Sequence, residues 1–347
     1  MSPAPTSTTN AFDLEIAIKG VLGFIERERE REIIARRFGL YDRRETLEQI
    51  GELLGITRER IRQLEKAVMT KLKSASLSGN IPQVISFEKN ILPILSQNSH
   101  VMKISDLASL TSKSDDKIEQ SRIFFLSVLS PNISVIEESD LFYSTIGTHS
   151  ANDEKKIREL SSKIVGVVKK IGKPITVKEM SQNLSNADVN YVTVLAGISK
   201  LLTELNNKWG LIKWPLVNPK NIRDKIYVIL SEQGNHMHFS EIAEAIKQSD
   251  FKRKNVTTQA IHNELIKDNR FILVGRGIYA LEEWGYKKGT VADMITEVLQ
   301  EADKPLHKDE IVKRVLKSRH VKETTILLNL QGKPQFKRTN KATYTLV

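Results

Sequence analysis

Apolar residues recur at helical spacing from Phe12 to Phe38, broken only by the alternating Arg and Glu of residues 26–32. Such a run suits a solvated helix face carrying ion pairs four residues apart. Phe38-Gly39-Leu40 closes this segment and Thr46 opens the next. The Ser, Asn, Gly and Pro cluster from Ser74 to Pro82 predicts a linker. Beyond it one phrase recurs: a helix, a short polar gap, then an apolar residue leading into another helix. It stands around Lys103–Leu107, Pro174–Met180, His238–Ile242 and His307–Ile311. The last two copies keep register. His238, Glu241 and Ile242 match His307, Glu310 and Ile311 at a constant offset of 69. Phe271, Tyr279 and Leu281 match Phe336, Tyr344 and Leu346 at an offset of 65.

Each copy reads as three helices followed by two short β-branched and aromatic runs, clearest at Phe271–Val274 and Ile278–Leu281, which turn at Gly275 or Asn340. That is a winged-helix pattern. The predicted fold is therefore mainly α: a helix-turn-helix domain followed by an array of winged-helix units with small β-hairpin wings. The expected divisions are a disordered lead-in over residues 1–10, a helix-turn-helix over 11–75, diverged winged helices over 83–147 and 152–218, a clearer one over 219–286 and a degenerate one over 287–347. The wings of the two diverged units are expected at Ile133–Tyr143 and Trp209–Trp214.

The segment Leu47–Glu65 carries the most information. Thr46 is placed to cap a first helix, with Gln49 completing a capping box. Gly51 is small where a second helix must cross closely, and Gly55 supplies a left-handed residue that ends the first helix. Thr57 caps the second helix. Counting from Arg58, Ile61, Leu64 and Val68 fall at about 300°, 240° and 280°, and Arg62, Lys66, Glu59 and Gln63 at about 40°, 80°, 100° and 140°. One face is buried and the other offers polar reach. Arg, Gln and Glu are the residue types that pair with guanine, adenine and cytosine in a major groove. An ordinary helical hairpin has a charged outer face too, but needs no glycine at either position.

Charge supports the same reading. The net charge of +11 and a pI near 9.5 make a polyanion the first partner to consider. Residues 1–79 and 80–218 carry +2 each and residues 219–347 carry +7. Within the first third, Arg58–Lys73 is locally +4. The absence of Cys excludes disulfides, thiolate metal sites and cysteine nucleophiles. No apolar run reaches the ~20 residues of a membrane span, and Met1–Asn10 lacks the parts of a signal peptide. A cytoplasmic, nucleoid-associated protein is expected.

Arg27-Glu28-Arg29-Glu30, Arg37-Phe38-Gly39-Leu40, Thr46–Gly51 and Thr57–Glu65 resemble region 4 of bacterial housekeeping sigma factors over roughly residues 12–75. That domain reads the −35 promoter element and docks on the flap of RNA polymerase. The resemblance implies that Arg58, Glu59 and Gln63 contact bases, and that Thr46 and Arg62 contact the backbone or flanking DNA; Thr57 and Lys66 are further backbone candidates. The aromatic-rich melting region of a sigma factor is not seen, and little chain precedes the domain, so a complete promoter-opening factor is not expected. Phe239–Ala243 with Arg270–Gly285 resembles the HARE-type winged helix, a family that includes the delta subunit of some bacterial RNA polymerases.

Catalytic readings fare poorly. Gly166–Lys173 has the wrong spacing for a phosphate loop, and Pro174 stands where Ser or Thr is required. His236 and His238 have no cysteine partners, and His307 matches His238 in the repeat, which favours capping or packing. No enzyme, cofactor, metal or small-molecule substrate is expected. The leading reading is a sequence-specific duplex-DNA-binding transcription regulator. The alternative is an RNA polymerase accessory factor, delta-subunit-like, acting through protein contacts. Lys252, Arg253, Lys254, Arg276 and Lys341 are the further candidates for wing or backbone contacts, the last two because a wing tip projects from its body.

Overall fold

A computed structural model describes residues 12–111, 117–149, 153–286 and 288–347, so the expected disordered lead-in lies outside the described residues. The protein is mainly helical, with sixteen α-helices among the described residues and small antiparallel sheets. It divides into two compact units, separated in sequence between Ile212 and Lys213.

The first unit begins with α1 (Leu14–Leu22), capped by Asp13, whose carboxylate accepts from the Ile16 N–H at 2.9 Å. There follow α2 (Glu28–Phe38), α3 (Leu47–Leu54) and α4 (Arg58–Leu77). The linker expected over Ser74–Pro82 is not one. Ser74–Leu77 form the last turn of α4, Ile81 is fully buried, and α5 (Pro82–Gln97) starts at once. Composition misled here because packing, more than propensity, holds most helices in place. Proline at the first position of α5 loses nothing, since its missing N–H would have had no helical partner.

Next come β1 (Val101–Lys103), α6 (Ile104–Thr111), α7 (Lys117–Leu129), β2 (Ile133–Ile136) and β3 (Thr145–Thr148), whose strands form an antiparallel sheet of order β1-β3-β2. The wing expected at Ile133–Tyr143 supplies only β2 and a loop; its partner strand lies at Thr145–Thr148, paired from Ile133↔Thr148 to Ile136↔Thr145. One core runs without a break from Leu14 to Ile146. The boundary between residues 11–75 and 83–147 is thus one of sequence pattern, and the core crosses it. Helix α7 is covered on most sides, burying Arg122 to Ser127 and Leu129. Phe125 meets Phe38 edge-on with ring centroids 4.9 Å apart. Arg122, 8% exposed, donates to the Leu40 carbonyl at 3.0 Å, Glu119 at 2.7 Å and Glu15 at 3.3 Å. A buried cation so surrounded ties α1, α2 and α7 together without an unpaired charge.

The unit ends with α8 (Glu154–Ile171), α9 (Val177–Asn183), α10 (Val189–Gly197) and the hairpin β4 (Leu202–Leu205) and β5 (Lys208–Leu211). Asn206 and Asn207 turn it with φ of 51° and 60°, the pair of left-handed residues that a tight hairpin requires. The wing expected at Trp209–Trp214 therefore lies several residues earlier; Trp209 is in β5, and Trp214 follows it outside any strand.

The second unit repeats one topology twice. The first copy is α11 (Ile222–Gln233), β6 (Met237–His238), α12 (Phe239–Gln248), α13 (Thr258–Lys267), β7 (Phe271–Gly275) and β8 (Ile278–Leu281). The second is α14 (Val291–Ala302), β9 (Leu306–His307), α15 (Lys308–Ser318), α16 (Glu323–Gly332), β10 (Phe336–Asn340) and β11 (Thr343–Leu346). Sheet orders are β6-β8-β7 and β10-β11-β9. His238 and His307 both cap the helix that follows, their Nδ1 accepting from the N–H of Ser240 at 3.3 Å and of Asp309 at 3.4 Å. Both hairpins turn on two residues, Arg276-Gly277 between the pair Gly275↔Ile278 and Lys341-Ala342 between Asn340↔Thr343.

Candidate nucleic-acid interface

The interface is built on the corner between α3 and α4. Thr46 and Gln49 satisfy each other's backbone N–H, at 3.2 and 2.9 Å, and Thr57 accepts from the Arg60 N–H at 3.3 Å. Gly55 takes φ 66°, a conformation that costs an L-residue with a Cβ about 1–2 kcal/mol. A Cβ on Gly51 would lie 2.7 Å from the Ile56 carbonyl oxygen, so only glycine allows so close a crossing. Ile33, Ile50 and Ile61 form the small core beneath, with Leu47, Leu54, Ile56 and Leu64 around it.

Arg58, Glu59, Arg62, Gln63 and Lys66 all stand exposed on α4, while Ile61 and Val68 are buried. Their side chains are not equally free. Arg62 forks onto Glu59 through Nε at 2.8 Å and Nη2 at 2.7 Å, and Gln63 donates to Glu59 Oε1 at 3.3 Å. Arg60 reaches Gln63 Oε1 at 3.4 Å. The Arg62 fork, with Gln63, holds the Glu59 carboxyl down at about 2. Glu59 is thus a full anion whose two oxygens organise its neighbours. Arg58 and Lys66 make no side-chain hydrogen bond or ion pair among the described residues and are the cations free to meet a ligand.

Two functional supports escape a reading by composition. Arg29 donates to the Leu54 carbonyl at 2.6 Å, closing the C-terminus of α3, and Arg37 bridges Glu65 at 3.3 Å and the Glu45 carbonyl at 3.3 Å. The alternating charge run hid them. Their spacing about buried Ile33, four residues either way, was the available signal, because all three then share one face of α2.

The remaining candidates are scattered over the second unit. Lys252, Arg253 and Lys254 are exposed and precede α13. Their loop is pinned from beneath, however: Lys225, 4% exposed, donates to the carbonyls of Lys252 and Arg253, each at 2.8 Å. Lys254 Nζ turns back onto the Ser249 carbonyl at 2.9 Å. Burial pushes the Lys225 ammonium below its usual range, with the Arg253 charge adding to the effect. Arg276 and Lys341 are both exposed at the first turn position of their hairpins. Arg276 is exposed, but the strand leading to it is covered. Val274 accepts from the His320 N–H at 3.1 Å, and a Cβ on Gly275 would meet the His320 carbonyl oxygen at 2.8 Å. The β7–β8 hairpin therefore packs on the segment between α15 and α16.

Among the described residues no group of three or more His, Cys, Asp or Glu could hold a metal ion, and no helix is long and apolar enough to cross a membrane. Comparison with known proteins bears on the segment of α2, α3 and α4. RNA polymerase sigma factor RpoD of Helicobacter pylori is 47% identical over 64 residues, 18% of this chain and 9% of that protein. RNA polymerase sigma factor SigA of a Bacillus species is 50% identical over 55 residues, 16% and 15% respectively. RNA polymerase sigma factor sigB of Arabidopsis thaliana is 41% identical over 58 residues, 16% and 10%. The chain thus spans no more than 15% of the length of these three relatives. What matches is one module: residues 27–74 fit the family model of Sigma-70, region 4, and they contain the whole corner between α3 and α4 described above.

Proposed function

We propose that this protein is a sequence-specific duplex-DNA-binding transcription regulator that reads its site with α4. The observation that carries the reading is the capped α3–α4 corner, with Arg58, Glu59 and Gln63 on the solvent face of a helix whose other face is buried. The match to Sigma-70, region 4 supports it. In this reading Arg58 and Gln63 pair with base edges. Glu59 either accepts from cytosine or aims Arg62 and Gln63, and Thr46, Thr57 and Lys66 contact the backbone. The later modules, each three helices and a hairpin, are read as winged helices, with the HARE-type likeness at residues 219–286. No catalytic role is assigned to them. Association with RNA polymerase is the second reading, favoured by the sigma-factor names of the relatives and by a hairpin, β7–β8, that already makes protein contacts.

The test is selection of bound sites from a random duplex library by the full chain. Arg58→Ala or Gln63→Ala is expected to cost about 1–3 kcal/mol on the selected site and to relax choice at one base pair, whereas Lys66→Ala weakens all sequences alike. An unaltered consensus in both of the first two variants would remove the base-reading assignment.

A further inference from the structure

Cations crowd the end of the chain. Residues 311–347 hold nine Lys and Arg and a single acid, Glu323. Three of the nine make hydrogen bonds: Arg314 pairs with Glu310 at 2.7 Å, Arg319 donates to the Gly289 carbonyl, and Arg338 donates through Nε to the Asn340 carbonyl at 3.3 Å. Lys333, Lys337, Arg338 and Lys341 are exposed and form no ion pair among the described residues. The four are neighbours by construction. Lys333 follows α16 as its C-terminal cap, Lys337 and Arg338 sit on β10, and Lys341 opens the turn into β11. Strand β10 is an edge of its sheet and is exposed at every position but Phe336.

We propose that this edge is a second nucleic-acid surface, on which Lys333, Lys337, Arg338 and Lys341 hold the phosphate backbone of duplex DNA without reading its sequence. The choice of DNA as the polyanion rests on the reading of α4; the surface itself does not need α4. Lys337 is on β10 and Lys341 begins the turn, so an extended chain would set them at most about 13 Å apart, a length of duplex axis over which each strand offers roughly four phosphates. Three cations, Lys337, Arg338 and Lys341, thus stand within that length, and Lys333 lies just before it. Lys337 and Arg338, being successive, leave opposite faces of an edge strand and can straddle one backbone. The aromatic residues of the hairpin, Phe336 and Tyr344, are buried, so no ring is offered to an unstacked base, and a duplex is favoured over a single strand. The sister hairpin shows the contrast. Strand β7, Phe-Ile-Leu-Val-Gly, carries no cation and packs against His320. The two hairpins thus differ, one packed and one charged.

Edge-strand lysines also block pairing with other chains, and the experiment separates that role. The full chain and its Lys337→Gln/Arg338→Gln/Lys341→Gln variant are titrated with a duplex of arbitrary sequence across a salt series. Loss of three phosphate contacts should lower the slope of log affinity against log salt by roughly 2.7. The preference for a selected site over a scrambled one should be unchanged. A Lys337→Glu/Arg338→Glu variant should weaken binding further, with thermal unfolding unaltered in both. An unchanged slope in a folded variant overturns the proposal. So does a variant that only aggregates more, with an unchanged slope in its soluble fraction, or tighter binding to phosphatidylserine vesicles than to duplex. A chain that selects no sequence yet shows the slope loss refutes the reading of α4 and leaves this surface standing.

Discussion

Gly51→Ala is a substitution for which two physical effects predict opposite signs. Gly51 lies inside α3, where helix propensity alone would make alanine more stable by about 0.8–1.0 kcal/mol. Against that, the new Cβ would sit 2.7 Å from the Ile56 carbonyl oxygen, a backbone atom of the turn that leads into α4. That oxygen cannot swing aside as a side chain would. Ile56 also donates its N–H to the Gly51 carbonyl at 3.0 Å, so moving the peptide strains a hydrogen bond that closes the corner. Relieving the overlap needs a shift of several tenths of an ångström in the α3–α4 crossing, and overpacking of this kind costs about 1–3 kcal/mol. The clash wins. We expect a net local loss of about 1 kcal/mol, and a larger loss of DNA affinity, because the displaced corner turns the N-terminus of α4. With two compact units in the chain, a single melting curve is a poor readout. Hydrogen exchange of the α3 and α4 amides is the suitable one. Gly55→Ala should lose about 1–2 kcal/mol by conformation alone, since nothing lies within 4 Å of its Cβ. Slower exchange in Gly51→Ala, the sign propensity predicts, would refute the reasoning.

Two further outcomes follow from the polar networks. Glu59 titrates at about 2 in the folded chain because Arg62 and Gln63 donate to it. A depressed carboxylate stabilises the network above its ordinary range and loses that effect as pH falls from about 4.5 towards 2. Arg62→Ala should return the Glu59 carboxyl resonance to a midpoint near 4.5; an unmoved midpoint would disprove the fork as cause. Lys225→Met should free the loop that its ammonium pins, costing about 2 kcal/mol locally and raising tryptic cleavage at Lys252–Lys254 roughly 30-fold. Cleavage at the parent rate would show that the loop is held by something else.

The sequence made the α3–α4 corner legible because its rules are local. A cap, a box and two glycines each leave a mark within a few residues. The repeat was legible from six matched pairs, three at an offset of 69 and three at 65. What stayed hidden was non-local. Strands β6 and β9 are two residues each, too short for any periodicity to show. The turn at Ser78–Ile81 looked like a linker because nothing nearby announces that Ile81 is buried. Arg122 looked like one charge among many until α1, α2 and α7 supplied its partners. At the candidate site, the outward residues of α4 were readable from helical angle, but the fork between Arg62 and Glu59 depends on rotamers that no pattern encodes.

The continuous core from Leu14 to Ile146 has a consequence for how the α3–α4 corner responds to stress. Beneath the α3–α4 corner only three isoleucines are fully enclosed, too few for autonomy at about 1.5–3 kcal/mol each. Apolar residues of α1, α2 and the later half of α4 instead share one core with those of α5 and α7. Helix α4 and the neighbouring module therefore share one core and are expected to melt together. Loosening α7 by heat, by mutation at Phe125 or by loss of the Arg122 ties would tilt or unfold α4 from behind. On the proposed reading of α4, a perturbation some way from any base would then silence recognition while Arg58, Glu59 and Gln63 remained in place.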